Sequence, residues 1–131
     1  MTIVTSSTGK EKYITQIKAR NHALTIDEPL DIGGKDLGPK PGELLAASLA
    51  SCTGITLRMY ADRKGWDLQE TMIEVNLENN SAENNAKFTM NIRLFGNLDE
   101  TQRLRLLEIA NNCPIHKILE NPILIQTVLK D

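Results

Sequence analysis

The stretch GPKPGELLAASLASCTGITLRMYADRK, residues 38–64, decides the fold of this chain. Its apolar residues recur at steps of three and four, which predicts one amphipathic helix from Gly42 to about Lys64. Gly65 comes next and is a natural helix stop. Alanine and serine keep the first half of the helix slim, so a second backbone has room to approach it closely. The face that we expect to be buried carries Leu45, Leu49, Cys52, Ile55 or Thr56, and Met59.

Strand patterns lie on both sides of this helix. A loop rich in glycine and proline, residues 27–41, separates the helix from the strands before it. After the helix, residues 66–78 and 87–95 alternate apolar and polar side chains, which predicts an antiparallel hairpin with one buried face. The order of elements predicts a single α+β domain over residues 1–131, with antiparallel sheets around a long central helix. The complete set of predicted strands is 2–7, 12–19, 22–26, 66–78, 87–95 and 123–129.

Two shorter helices are predicted in the last third of the chain. The first runs over about 100–111, with Asp99 or Asn97 as its N-cap. The second begins at Cys113-Pro114 and ends near residue 121, because proline is favoured at the first helical position. The residues of the first of these helices that we expect to face the core are Leu104, Leu107 and Ile109.

Composition excludes several classes of function. The net charge of −2 gives no basic footprint for nucleic acid and no polybasic membrane contact. The first residues lack the pattern of a signal peptide, and no uncharged apolar run reaches the roughly 20 residues of a membrane span. We therefore expect a cytoplasmic protein. In that reducing compartment two cysteines indicate buried thiols, metal ligands or redox chemistry rather than a structural disulfide.

The two cysteines, Cys52 and Cys113, are the candidate reactive groups. Cys52 lies on the apolar side of the long helix, where a cysteine also serves as a small buried hydrophobe. Cys113 is placed as the N-cap of the last helix, where free N–H groups and the helix dipole favour a thiolate. His116 follows within one turn and is positioned to add charge or a hydrogen bond. From the residues alone, an inert cysteine at a turn remains an equal alternative for Cys113.

The sequence supports a metal site or a hydrolase less well than it supports redox chemistry at the cysteines. A zinc site built from both cysteines with His22 and His116 lacks any clustered ligand pair such as CxxC. A cysteine hydrolase needs a base and an orienting group, and Cys113 with His116 carries no signature of one. We expect no metal and no cofactor.

The loop before the helix also gives no ligand motif. Its glycines do not follow the spacing of a phosphate-binding loop. Its acidic turn, Asp27, Glu28 and Asp31, is most simply a solvated surface.

Two motifs together resemble the OsmC/Ohr family. The run from Gly38 to Cys52 is similar to the family's proline–acid–leucine helix, which carries the first cysteine. The run Cys113-Pro114-Ile115-His116-Lys117-Ile118-Leu119 resembles the second cysteine motif, 61 residues further on. The likeness covers nearly the whole chain, and the stretches 33–39 and 57–66 look most like the YhfA-like branch.

The resemblance implies an intertwined homodimer with active sites at the subunit interface. It also implies a peroxidase of organic hydroperoxides, in which Cys52 is the peroxidatic thiol and Cys113 the resolving thiol. Cys52 becomes a sulfenic acid, Cys113 condenses with it to a disulfide, and an external dithiol reduces that disulfide. A cation near Cys52 is expected, because attack on peroxide needs a thiolate.

The supporting residues depart from the family pattern. In well-studied members a glutamate follows the helix proline directly and holds a catalytic arginine. Here Gly42 occupies that position and Glu43 comes one residue later, a rotation of about 100° on a helix. Arg20 is the nearest candidate for the arginine, with Arg58 and Arg63 as alternatives. The displaced acid also favours a second interpretation, a non-enzymatic protein of this fold that binds a small apolar ligand or senses thiol stress.

Overall fold

A computed structural model describes residues 1–130 and places five strands and three α-helices in them. The described residues form two compact units, one of residues 1–45 and one that begins at residue 46, which are described in turn. The strands are β1 (Thr5–Thr8), β2 (Thr15–Ala19), β3 (His22–Ile26), β4 (Asp67–Asn80) and β5 (Asn85–Asn97), and the helices are α1 (Pro41–Lys64), α2 (Glu100–Ala110) and α3 (Pro114–Glu120). The predicted α+β class with antiparallel sheets and a long helix is confirmed.

The first unit is a three-stranded antiparallel sheet in the order β1-β2-β3. Ala19 pairs with His22, so the turn between β2 and β3 holds only Arg20 and Asn21. Arg20 has a φ of 55°, the left-handed conformation that a tight hairpin turn requires. β3 then leads into the loop that precedes α1.

Asp27 organises this loop. Its carboxylate is buried and accepts hydrogen bonds from the backbone N–H groups of Tyr13, Glu28, Lys35 and Leu37, at 2.7–3.2 Å. The expectation of a solvated acidic turn is therefore wrong for Asp27, because the folded chain places four backbone N–H donors around its carboxylate. Burial acts to raise the pKa of the Asp27 carboxyl, but the four hydrogen bonds outweigh it and lower that pKa.

Two glycines let the same loop pass close to its neighbours. A Cβ on Gly34 would lie 2.0 Å from the carbonyl oxygen of Glu28, and one on Gly38 would lie 2.0 Å from that of Thr25. The loop glycines thus serve backbone packing.

The buried face of α1 is partly different from the predicted one. Leu49, Thr53, Leu57 and Ala61 are buried, a stripe with a step of four. Cys52 is half-buried beside this stripe. The predicted core positions Leu45, Ile55 and Met59 are instead exposed, at 44%, 55% and 61%.

The second unit buries its core between α1, the β4–β5 hairpin and α2. The hairpin pairs Ile73 with Ile92 and Val75 with Met90, so its apolar side chains share one face as predicted. The core cluster contains Leu57, Ala61, Leu68, Leu98, Leu106 and Ala110.

Helix α2 begins with the predicted N-cap. Asp99 Oδ1 accepts from Gln102 N at 2.8 Å, and Asp99 N donates to Gln102 Oε1 at 2.9 Å, which forms a capping box. The prediction that Leu104 and Leu107 face the core is wrong, because both are 53% exposed and Leu106 is the buried leucine.

The strand predicted over residues 123–129 is not formed. Residues 122–130 have neither helix nor strand conformation, and they pair with neither of the two sheets formed by the described residues. Their large apolar side chains are exposed, from 59% at Ile123 to 98% at Leu129.

Helix α1 is long and apolar enough to cross a membrane, with 24 residues and a mean hydropathy of 1.2 over its most apolar 18 residues. A single such helix is weak evidence, since the central helix of a soluble protein can be as long and as apolar. Only 22% of that stretch is buried in the chain, so most of its surface is open to a partner or to solvent.

Candidate functional site

Cys52 lies in the middle of α1, three residues after Leu49 on the buried stripe. Its side chain is half-buried and its thiol is free. Three groups surround the sulfur: the hydroxyl of Thr56 one turn later, the backbone N–H of Ile115 and the thiol of Cys113. The long helix therefore brings Cys52 against the start of α3.

Cys113 is the N-cap of α3, as predicted. Its Sγ accepts a hydrogen bond from the backbone N–H of His116 at 3.3 Å. Pro114 occupies the first helical turn, where its missing N–H costs nothing. Unlike Cys52, Cys113 is completely buried, and its thiol is also free.

The structure brings the two thiols together. The thiol of Cys113 is one of the groups that act on the pKa of the Cys52 thiol, and both cysteines are free. The two thiols differ in burial: Cys52 is half-buried and Cys113 is fully buried.

The pKa of Cys52 is raised above the usual range of a thiol. Burial is the main cause, and the thiol of Cys113 adds to it because two neighbouring sulfurs disfavour a negative charge. The Ile115 N–H and the Thr56 hydroxyl act in the opposite direction without reversing the shift. A lowered pKa was expected, and the residues around this sulfur do not provide one.

Two site residues were not predicted from the sequence. Thr53 is fully buried, and its hydroxyl lies 3.5 Å from Cys113 Sγ and 3.5 Å from Met90 Sδ. Thr53 directly follows the candidate Cys52 on the helix. A polar residue next to a candidate cysteine on an apolar helix is the one sequence feature that could have indicated its role. Met90 is on β5, and no sequence pattern links it to Cys113.

His116 lies beside the thiol pair but points its ring elsewhere along α3. Its Nε2 is 3.3 Å from Glu120 Oε1. Its Nδ1 is buried, with no hydrogen-bond partner among the described residues. The contact of His116 with Cys113 that the structure shows is through the backbone N–H.

Glu43 and Arg20 both lie in the first unit. Glu43 Oε1 accepts a hydrogen bond from Lys40 N at 3.0 Å, so this exposed acid caps the start of α1. Arg20 is exposed at the tip of the β2–β3 hairpin. Their roles beside Cys52 stay predictions.

Of the alternative arginines, Arg58 is already engaged. Its guanidinium pairs with Asp62 Oδ1 at 3.0 Å and donates to the carbonyl oxygen of Leu68. It therefore ties α1 to the start of β4. Arg63 is exposed in the last turn of the helix.

A sequence profile described as OsmC-like protein matches residues 33–128, which include both cysteines. The chain belongs to the OsmC-like family. Both cysteine motifs of this OsmC-like chain lie inside the match, as does Glu43, whereas Arg20 lies before it. No curated protein sequence matches the chain.

Solved structures share the OsmC-like fold. A protein of Psychrobacter arcticus, described as an osmotic stress induced and detoxification response protein, is 25% identical with a TM-score of 0.77 over 89% of this chain and 87% of that one. An OsmC-like protein of Mycoplasma pneumoniae is 17% identical with a TM-score of 0.78, over 92% and 87%. An organic hydroperoxide resistance protein OsmC of Legionella pneumophila is 22% identical with a TM-score of 0.67, over 92% and 89%.

Proposed function

We propose that this OsmC-like chain is a thiol-dependent peroxidase that reduces organic hydroperoxides. The observation that carries the proposal is that the fully buried thiol of Cys113 acts on the pKa of the half-buried Cys52. The organic hydroperoxide resistance protein of Legionella pneumophila, which has the same fold, supports the choice of substrate. The YhfA-like branch within the family stays a prediction.

The reaction uses both sulfurs. The Cys52 thiolate attacks the terminal peroxide oxygen, the O–O bond breaks, and the alkoxide leaves and is protonated to the alcohol. Cys52 is then a sulfenic acid. The Cys113 thiolate attacks its sulfur, hydroxide leaves, and a Cys52–Cys113 disulfide forms. An external dithiol returns both thiols and becomes a disulfide itself, so no cofactor is needed.

Because the pKa of the Cys52 thiol is raised, formation of its thiolate needs a further group that lowers this pKa and that lies outside the residues around the sulfur. We propose that a homodimer supplies it and that Arg20 is that cation, with Glu43 as its partner. The exposed apolar residues of α1 and of the C-terminal segment support an assembly of two copies. The proposed location of the protein is the cytoplasm, where its thiols stay reduced between cycles.

Stopped-flow mixing with cumene hydroperoxide tests the activity. About one equivalent of peroxide is expected to be consumed per chain, with an intramolecular disulfide as the product. Cys52→Ser abolishes the reaction, while Cys113→Ser leaves a sulfenic acid that a dimedone probe captures. Wild-type protein that keeps two free thiols under excess peroxide contradicts the proposal.

The role of Arg20 has a matched control. Arg20→Ala is expected to slow the oxidation of Cys52 about tenfold or more, because a neighbouring cation contributes at least about one pKa unit to a thiolate. Arg63→Ala removes an equally exposed arginine from α1 and is expected to leave the rate unchanged. Equal rates in the two variants rule out Arg20 as the activating group.

A non-enzymatic role is the second candidate, and the raised pKa of Cys52 favours it. A protein of this fold that binds a small apolar ligand needs no thiolate. Its signature is thermal stabilisation by an apolar ligand that survives the double change Cys52→Ser and Cys113→Ser. Loss of stabilisation in that double variant argues for the peroxidase.

A further inference from the structure

The buried hydroxyl of Thr53 lies between two sulfur atoms. Its Oγ1 is 3.5 Å from Cys113 Sγ and 3.5 Å from Met90 Sδ. Thr53 and Cys113 are both completely buried, so water does not compete for these contacts. The hydroxyl has one proton and two sulfur neighbours, so its direction depends on the protonation of Cys113.

Counting protons defines two arrangements. A thioether has no proton to give, so Met90 only accepts. When Cys113 is a thiol, its S–H donates to Thr53 Oγ1 and the Thr53 hydroxyl donates to Met90. When Cys113 is a thiolate, its own proton is gone, and the Thr53 hydroxyl turns from Met90 to the charged sulfur.

The second arrangement gives the Cys113 thiolate two donors. The backbone N–H of His116 already points at Cys113 Sγ at 3.3 Å. The Thr53 hydroxyl becomes the second donor, and the hydrogen bond that it leaves, to a thioether, is a weak one. The ionisable side chains next to this sulfur and its helix are Cys52 and His116, and the latter is paired with Glu120.

We propose that Thr53 is a positioning residue that turns its hydroxyl from Met90 to Cys113 and so prepares the Cys113 thiolate for disulfide formation. The inference rests on the proposed function for its assignment of Cys113 as the resolving thiol. It adds the group that stabilises and aims that thiol. The residue acts on Cys113 and not on the peroxide, so the first oxidation of Cys52 does not depend on it.

An aromatic disulfide isolates the step from peroxide chemistry. Dithiodipyridine reacts with the more exposed Cys52 to give a mixed disulfide and one released thiopyridone. Cys113 then attacks the Cys52 sulfur, the Cys52–Cys113 bond forms, and the second thiopyridone leaves with the electron pair of the broken S–S bond. The absorbance of released thiopyridone therefore rises in two phases, and the rate of the second phase is the rate at which Cys113 attacks the mixed disulfide.

Thr53→Val tests the proposal, since valine has the shape of threonine without the hydroxyl. The first phase is expected to be unchanged and the second to slow about tenfold or more, the effect of one hydrogen bond to an ionised sulfur. Thr53→Ser keeps a hydroxyl and restores the second phase to within about twofold of wild type. Cys113→Ser gives one thiopyridone and no second phase.

Met90→Leu separates hydrogen bonding from packing. Leucine replaces methionine at nearly constant volume, so a packing effect is small. Because this change frees the Thr53 hydroxyl for Cys113, the second phase is expected to be as fast as in wild type or faster. A second phase slowed as much in Met90→Leu as in Thr53→Val overturns the proposal, and so does an unchanged second phase in Thr53→Val.

The two proposals fail in different ways. Wild-type protein that shows both phases with dithiodipyridine but forms no disulfide with cumene hydroperoxide contradicts the peroxidase and leaves the role of Thr53 standing. Wild-type protein without a second phase overturns the role of Thr53. Thermal melting of each variant shows whether it has folded. If Thr53→Val has not folded, the rates of the second phase in Thr53→Ser and Met90→Leu are compared instead, and a slowed second phase in Met90→Leu overturns the proposal.

Discussion

A single carboxylate, Asp27, holds the loop between β3 and α1. Four backbone N–H groups converge on it, and they keep its pKa below the usual range although burial acts the other way. A group whose pKa is lowered by folding stabilises the fold above its unfolded pKa of about 3.9, and this contribution is lost as the pH falls through its folded pKa. Asp27 is therefore an acid-sensitive point of the structure.

Asp27→Asn is expected to lower the melting temperature by several degrees near neutral pH. Asparagine keeps the shape, but one of its two positions becomes an NH₂ donor that faces N–H groups. The difference from wild type is expected to shrink when melting is repeated at about pH 3, below the unfolded pKa of about 3.9, because protonation of the carboxyl in the unfolded chain then reduces the advantage of the folded carboxylate. Asp31→Asn is the control, since that carboxylate is exposed. A difference that is independent of pH contradicts the role assigned to the charge.

The pKa of Cys52 depends on its neighbour. Burial and the Cys113 thiol both raise it. Cys113→Ala is expected to move the pH profile of Cys52 alkylation by iodoacetamide towards lower pH, because one of the raising causes is removed. The measurement follows the alkylation rate against pH by mass spectrometry, and Thr56→Val is expected to move the profile in the opposite direction. An unmoved profile in Cys113→Ala shows that the two sulfurs do not interact.

At the scale of elements, two glycines lie near the start of α1, and they differ in the space available for a side chain. A Cβ on Gly38 meets the Thr25 carbonyl oxygen at 2.0 Å, whereas one on Gly42 meets nothing within 4 Å. Gly38→Ala is expected to destabilise the fold by about 1–3 kcal/mol through overpacking. Gly42→Ala is expected to stabilise it by about 0.5–1 kcal/mol, because alanine is the better helix former. Urea unfolding of both variants checks the pair, and similar effects in both contradict the close approach of the loop.

The elements differ in how far their sequences predict them. The β4–β5 hairpin follows the alternation of its residues, because a period of two leaves one choice of buried face. Helix α1 is apolar on several sides, so its period predicts a helix but not which side is buried, and the true stripe passes through Thr53 rather than Met59. The N-caps Asp99 and Cys113 were predictable, since capping is local.

Contacts between segments that are distant in the chain could not be predicted from the sequence. Asp27 takes its donors from residues 13, 28, 35 and 37, and no local pattern records that convergence. The hydrogen bond from Thr53 to Met90 likewise joins α1 to β5. The pairing of the two cysteines was suggested by the family resemblance and their spacing, and it stays a prediction, which the effect of the Cys113 thiol on the pKa of Cys52 supports.

At the scale of the whole molecule, many large apolar side chains are exposed, which supports the proposed homodimer. Residues 122–130 read as a strand in sequence and stay unpaired in the chain, with Leu124 at 84% and Ile125 at 81% exposed. Met59 on α1 and Met72 on β4 are also more than half exposed. A stable interface needs about 600–1,000 Å² from each partner, and apolar side chains of this size and number are suited to form one. In the proposed homodimer, a second copy of the chain pairs with the C-terminal segment, which accounts for both the strand pattern and its exposure.

The assembly is tested by placing charges in that segment. Leu124→Asp with Ile125→Asp is expected to convert the proposed dimer into a monomer in sedimentation velocity, because two apolar contacts of the proposed interface become two unpaired charges. Gln126→Asp adds a charge to the same segment without removing an apolar side chain, and it is expected to leave the dimer intact. If the dimer supplies the cation for Cys52, the double variant also loses peroxidase activity, while its two thiols still react with dithiodipyridine. A wild-type monomer, or a double variant that stays dimeric, excludes this segment as the interface.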